Sequence, residues 1–299
     1  MRAVPLVAAT LLWLPGQPVA WGALIAYEGF DYPVAVNGVN AQSGGTGFSG
    51  AWDAPTNGGD IVASTLAYTD GGGRQLVTGG QQLYMDSTNA GSTTAGSTVI
   101  NFRPFNTAAY PVGVNTFYFS MLGQQLTGDA RAMNVALFMP TGGGNGPGGS
   151  AELISVGHGT NTPDGGPFNW GAFATGNGAS GAYSGVSALS PAFLVLRVDL
   201  DVDGLNDRVR LYVNPDLDAE PAVASVDFQD RNVLTGFGDI GRVRPFAGNS
   251  NGTFLAAQAH YDELRLGTTW EAVTPHLVPE PTSAALFFLG LIALRRARR

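Results

Sequence analysis

The chain has 299 residues, 15 basic against 23 acidic, a formal net charge of −8 at pH 7 and no cysteine. All 15 basic residues are arginine. An acidic surface repels nucleic acid and anionic lipid, so a basic-patch function is excluded. Without cysteine there is neither a disulfide framework nor thiolate chemistry, and a chain of this length buries a core large enough to do without such staples.

At the N-terminus, Met1-Arg2 forms a minimal positive region and Ala3 to Leu14 an apolar run, followed by small residues at Ala20, Gly22 and Ala23. That order reads as a secretory signal peptide over residues 1–23, with cleavage near Gly22 or Ala23. Residues 24–275 then form one domain. Glycine accounts for 43 residues and sits with Asn, Ser, Thr and Asp between short apolar runs, at no fixed period, which is the punctuation of an all-β chain.

Strands are expected at Leu24 to Tyr27, Ile61 to Tyr68, Thr98 to Phe102, Thr116 to Met121, Asn134 to Met139, Glu152 to Val156 and Trp170 to Ala174. Further strands are expected at Phe193 to Leu200, Arg208 to Val213 and Tyr261 to Leu266. In Arg208 to Val213, Val209, Leu211 and Val213 fall on one face and charged residues on the other. No helical periodicity is available for parallel crossovers, so the strands predict an antiparallel two-sheet sandwich or barrel.

Aromatic residues that could stack on sugar rings are Trp52, Trp170 and Tyr183, chosen by type, and the same residues also suit a core. Trp270 follows the last strand, where it is expected to seal one end of the sandwich.

Asp199, Asp201, Asp203, Asn206 and Asp207 form the one acidic cluster. Its D-x-D-x-D-G opening matches the start of a calcium loop, but Arg210 stands where a bidentate carboxylate should close the shell. The same Asp/Asn/Gly stretch between two strands is also what a hairpin turn requires. Both readings stand at this point.

Enzymatic patterns are missing. No G-x-S-x-G or H-E-x-x-H occurs, and His158, His260 and His276 are isolated. Gly142 to Gly149 lacks the Lys-Ser/Thr ending of a phosphate loop and reads as an inter-strand loop. The E-x-D-x-x-E strand motif of laminarinase-type hydrolases is absent among only six glutamates. Strict alternation puts Asp262 and Glu263 on opposite faces of one strand, with Asp262 beside Leu264 and Leu266. Glu28 and Asp262 would be the remaining carboxylate pair if the first and last strands met.

The C-terminus carries Val278-Pro279-Glu280-Pro281, an unbroken apolar run from Ala284 to Leu294, and Arg295-Arg296-Ala297-Arg298-Arg299. As a helix the run covers roughly 16–20 Å, short of the ~30 Å hydrocarbon core. The arginines hold the chain end on the cytoplasmic side and leave Pro279, Glu280 and Pro281 outside. This resembles the PEP-CTERM sorting tail of Gram-negative bacteria. The resemblance implies transient membrane insertion of residues 276–299, with Pro279, Glu280, Pro281, Arg295, Arg296, Arg298 and Arg299 as the sorting signal and an exosortase as processing partner. With both ends removed, ten arginines remain against 22 acids, a net charge of about −12.

Tyr27 to Tyr32, Gly47 to Trp52, Phe193 to Asp199, Val209 to Pro215 and Asp262 to Trp270 together resemble the concanavalin A-like, laminin-G-like jelly-roll proteins that carry such tails in Verrucomicrobia and Planctomycetes. That resemblance implies a two-sheet jelly roll whose first and last strands meet, with calcium as a frequent but not obligatory guest. It implies an exported protein of the cell surface or extracellular matrix, non-catalytic, binding glycan or packing in an exopolysaccharide layer. The alternative is a polysaccharide-active enzyme with an atypical site.

Overall fold

The structure is a computed structural model that describes residues 23–53, 58–87, 98–126, 132–140, 151–158, 168–174, 180–231, 234–248 and 257–278. The hydrophobic helix expected at each terminus, the sorting signal and the Gly142 to Gly149 loop lie outside the described residues. Among the described residues no helix is long and apolar enough to cross a membrane.

The described chain is all-β. Its strands are β1 (Leu24–Glu28), β2 (Asp60–Ala63), β3 (Gln75–Leu76), β4 (Gln81–Asp86), β5 (Thr98–Ile100), β6 (Arg103–Pro104), β7 (Thr116–Gln125), β8 (Ala132–Phe138) and β9 (Glu152–His158). They continue with β10 (Asn169–Ala174), β11 (Ser180–Ser187), β12 (Ala192–Asp199), β13 (Asn206–Val213), β14 (Val226–Arg231), β15 (Arg242–Gly248), β16 (Gln258–Gly267) and β17 (His276–Leu277). A single turn of helix, α1 (Trp270–Val273), follows β16.

The larger sheet has eight strands in the order β14-β13-β12-β7-β16-β4-β2, with β1 also paired to β16. The smaller has seven, in the order β11-β10-β9-β8-β15-β5, with β6 also on β15. β3 and β17 form a separate two-stranded ribbon. All the pairings within the two sheets are antiparallel, and β1 lies against β16, so the first and last long strands do meet.

Alternation along each strand builds the core between the sheets. From the larger sheet Phe117, Phe119, Met121, Leu194, Leu196 and Leu211 point inward, and from the smaller Val135, Leu137, Val156, Trp170 and Ala172. The residues between them point outward, and many are buried on both sheets; on the smaller sheet Ala136, Phe138 and Phe246 cluster with Ile100, Phe102 and Ala151. The cover on the larger sheet is wider. Tyr118, Leu122, Phe193, Val195 and Tyr212 form a second cluster with Leu66, Leu76, Leu217, Trp270 and Val273. The outer face of the larger sheet is therefore roofed by the segments around residues 66–76, 217 and 270–273. Trp270 does not seal an end of the sandwich but packs edge-on against Tyr118 and Tyr212 on this outer face.

Two expected elements change for local reasons. The strand expected over Ile61 to Tyr68 stops at Ala63, because Ser64 turns the chain out: its amide bonds Gly80 O and its hydroxyl bonds Asp262 Oδ2 at 2.9 Å. Leu66 then joins the outer cluster. The helical turn at Trp270 had no periodic pattern to announce it and rests on Thr269, whose hydroxyl accepts the Ala272 amide.

Candidate functional site

Two of the three tryptophan and tyrosine stacking candidates are interior residues. Trp170 has no exposed surface and lies in the inter-sheet core. Trp52 is also buried; its indole Nε1 donates to Glu28 Oε2 at 3.0 Å and its ring stacks on Phe30 at 5.6 Å. Neither presents a face to a sugar. Tyr183 is half-buried.

Glu28 is the centre of a buried knot. It accepts from the Phe30 amide at 2.8 Å, Tyr32 Oη at 2.7 Å, Trp52 Nε1 and Arg103 Nη1. Arg103 is buried too, reaches Gly50 O at 3.1 Å and lies over the Phe48 ring at 4.0 Å. This places a fully used ion pair between the sheets. Glu28 pairs in register with Leu264, while Asp262 stands on the other face of the larger sheet, so the two carboxylates do not form a catalytic pair.

Asp262 and Glu263 depart from strict alternation. The register of β16 against β7 shifts between Asp262 and Arg265, and Glu263 adopts φ 57°, the left-handed conformation of a β-bulge. Tyr261 and Leu264 both enter the core, so Asp262 does not share the face of Leu264 and Leu266 but turns out to Ser64. Glu263 accepts from the Gly79 amide and from Arg265 Nη2. Both carboxyls have no exposed surface. Burial first, then the neighbouring Glu263, pushes Asp262 up to about 8, and burial likewise raises Glu263.

The acidic cluster is the hairpin between β12 and β13, which pair from Leu194↔Val213 to Asp199↔Arg208. Its side chains diverge. Asp199 bonds Thr116 Oγ1 at 2.8 Å, Arg197 and Arg210. Burial opposes its ionisation, but these partners, Arg197 foremost, outweigh that and hold its carboxyl below the usual range. Asp207 is buried and accepts the amides of Asp201 and Leu234. Asp203 caps the turn through the amides of Leu205 and Asn206 and the Asn206 side chain, while Asp201 takes φ 52°. Among the described residues no three His, Cys, Asp or Glu side chains gather as a metal site.

The histidines also separate. His260 sits edge-on to Tyr84 at 5.2 Å, and His276 bonds Thr274 O. His158 is buried with its ring near Phe168 at 5.5 Å and Tyr183 at 5.4 Å, and its Nδ1 has no partner. Burial lowers its affinity for a proton and keeps it neutral.

That contact leads to the outer face of the smaller sheet. Trp170, Ala172 and Ala174 of β10 and Ala182 and Val186 of β11 face the core, so Phe173 and Tyr183 face out. Both rings are half-buried and meet edge to face at 5.0 Å. They lie over glycine backbone: a Cβ on Gly171 would come within 2.9 Å of both rings, and one on Gly181 within 2.4 Å of Phe173. Only glycine at these positions leaves room for the two rings.

Two cross-strand rows run from this aromatic pair across the face. One reads Tyr183, Gly171, Gly157, Asn134, Phe246, and the other Gly181, Phe173, Ser155, Ala136, Arg244. At about 4.8 Å per strand, each row spans about 19 Å from β11 to β15. Partly exposed aromatic rings are the chemistry that stacks on the apolar C–H face of a sugar ring, while the rows beyond them, Ser155, Asn134, Ala136, Phe246 and Arg244, are buried. Of this constellation only Tyr183 was singled out from sequence. The glycine-flanked aromatics Gly171-Ala172-Phe173 and Gly181-Ala182-Tyr183 are the signal that could have found the rest.

No family model matches the chain, and no curated protein matches it. Solved structures similar to it include an endo-β-1,4-glucuronan lyase from Trichoderma reesei, at 16% identity over 77% of this chain and 94% of that one, TM-score 0.44. Another is the globular domain of Trypanosoma cruzi calreticulin, at 8% identity over 83% of this chain and 89% of that one, TM-score 0.44. A third is the carbohydrate recognition domain of Emp47p, at 10% identity over 85% of this chain and 99% of that one, TM-score 0.41. Likenesses this distant carry no argument about function.

Proposed function

We propose that this protein is an exported glycan-binding module of the cell surface or extracellular matrix, whose sugar-binding site is the Phe173 and Tyr183 pair at the β10–β11 edge of the smaller sheet. The observation that carries the reading is the Phe173 and Tyr183 pair, part-exposed and seated edge to face over Gly171 and Gly181. Elsewhere the outward residues of both sheets are covered by apolar clusters. A retaining or inverting hydrolase needs two carboxyls flanking one bond. Among the described residues, the strands of the smaller sheet carry a single carboxylate, Glu152, which favours the binding reading over the hydrolase one.

The test is a glycan array with the processed chain, wild type against Tyr183→Ala and Phe173→Ala. Selective binding that falls at least tenfold in each variant, with the thermal midpoint little changed, supports it. Unchanged binding in both variants moves the site elsewhere.

Delivery rests on the two ends of the sequence. Export through residues 1–23 and exosortase processing at Pro279, Glu280 and Pro281 bring the domain to the Gram-negative cell envelope, with the apolar run and Arg295, Arg296, Arg298 and Arg299 as a transient anchor. Replacing Pro279, Glu280 and Pro281 by alanine in the native host should leave an unprocessed, membrane-retained precursor. Normal release would refute the sorting step.

A further inference from the structure

The outer face of the larger sheet holds a polar cluster that glycan binding does not use. Where the chain leaves β2, Ser64 and Thr65 meet Gln82 of β4 and Asp262 of β16. Gln82 and Asp262 have no exposed surface, while Ser64 is half-buried and Thr65 exposed. Ser64 Oγ donates to Asp262 Oδ2 at 2.9 Å and lies 3.3 Å from Gln82 Oε1. The Thr65 amide donates to the same Oε1 at 2.9 Å, and Gln82 Nε2 reaches Thr65 Oγ1 at 3.4 Å. Asp262 is oriented in turn, because its Oδ1 accepts the Glu263 amide at 2.8 Å.

Each group stands where acyl transfer needs it. A hydroxyl hydrogen-bonded to a carboxylate, itself fixed by a third group, is an activated nucleophile. The Thr65 N–H on the carbonyl oxygen orients the carboxamide and receives the charge that develops there when its carbon is attacked. Burial first, then Glu263, pushes Asp262 up to about 8, and a base whose pKa lies near the working pH is the most effective. Arg265 is the other charged group beside it; β4 and the turn contribute the neutral Gln82, Ser64 and Thr65. Holding all of them on one folded frame makes the reaction unimolecular.

We infer that Ser64 and Gln82 join in an intramolecular ester. Ser64 Oγ bonds to Gln82 Cδ and gives its proton to the Asp262 carboxylate. The Cδ–Nε2 bond then breaks, Nε2 takes the proton from Asp262, and ammonia leaves past the exposed Thr65. A hydroxyl and a carboxamide become an ester and ammonia, with no other reactant. The two residues are 18 apart in sequence, and the chain between them carries Leu66 and Leu76 of the cluster that roofs the larger sheet. The ester therefore staples the roof to β4. A chain without cysteine or lysine can form neither a disulfide nor an amide through a lysine amine, and a hydroxyl with a carboxamide is the pairing left to it. The bond stands or falls independently of glycan binding.

The test is the intact mass of the purified, folded chain held at about pH 8, where Asp262 is half ionised. It should fall by the mass of one ammonia. Arg74 lies between the two residues, so trypsin acting on the denatured chain should leave the fragments that carry Ser64 and Gln82 joined, and hydroxylamine should part them. Ser64→Ala and Gln82→Ala should each keep the full mass, give separate fragments and melt at a lower temperature than the wild type. An unchanged wild-type mass after prolonged incubation overturns the inference. So does a loss of ammonia without joined fragments, which is the mark of ring closure at an Asn-Gly pair such as Asn37-Gly38. The wild-type mass decides even if neither variant folds.

Discussion

Asp262→Asn should make the protein more stable in alkali and flatten its pH dependence. The carboxyl starts from 3.8 and is pushed up to about 8, by burial first and by Glu263 second. Between those values the folded chain keeps a proton that the unfolded chain has released, so this group's contribution is complete below about pH 4 and is lost as pH rises through about 8. At about 1.4 kcal/mol per pH unit the ceiling across the window is about 6 kcal/mol, and a loss of a few kcal/mol between pH 5 and 9 is expected. Asparagine keeps an acceptor for the Glu263 amide and offers a donor to Ser64 Oγ, the two contacts Asp262 makes. The other groups facing this bulge are Arg265, Tyr27 and Asp31 around Glu263; Glu263 shifts in the same direction, so the variant retains a shallower slope of the same sign. The assay is urea unfolding followed by tryptophan fluorescence at pH 5, 7 and 9. The gap between the two should be smallest at pH 5 and wider by a few kcal/mol at pH 9, with the variant gaining on the wild type as pH rises. Parallel pH curves for the two proteins would refute the reasoning.

Three further outcomes follow from the geometry. Glu28→Gln or Arg103→Met leaves one partner of a buried ion pair uncompensated and should cost about 3–5 kcal/mol in the same unfolding assay; a cost under about 1 kcal/mol would show that the knot between the sheets is not closed. Gly123→Ala places a Cβ 2.9 Å from the Trp170 ring across the core and should cost about 1–3 kcal/mol by overpacking, visible as a lowered thermal midpoint. Calcium should leave the midpoint unchanged, because the carboxylates of the β12–β13 hairpin are turned to arginines and amides; a saturable rise with calcium that chelator reverses would revive the metal loop.

Where one side of a strand is apolar and the other charged, period-two alternation located the strand to within a few residues. β12 and β13 are the clear cases, and the hairpin between them followed from its turn chemistry. β11 was missed because Ser180-Gly181-Ala182-Tyr183-Ser184-Gly185 has almost no apolar contrast to read. β15 was missed for a different reason: Pro245 argues against an interior strand. It is tolerated because its side of the ladder faces the break between β5 and β6, where only the Asn101 amide reaches Pro245 O. Tyr183 comes from β11 and Phe173 from the expected β10, so half of the pair was hidden with its strand.

The outward aromatics of the two sheets are spent differently, and this is what separates folding from binding here. On the larger sheet, Tyr118, Phe193, Tyr212 and Trp270 are buried under loops tied down by side chains, Tyr68 Oη to Pro215 O at 2.6 Å and Ser120 Oγ to Val273 O at 2.8 Å among them. Truncating those residues removes core. On the smaller sheet, Phe173 and Tyr183 keep part of each ring in solvent at the β10–β11 edge, and neither belongs to the inter-sheet cluster. Their loss should therefore subtract far less from stability than the 3–5 kcal/mol typical of a buried aromatic. Seating a part-exposed aromatic pair over two strand glycines is a cost that packing on His158 only partly returns. A ligand that uses the rings supplies the return.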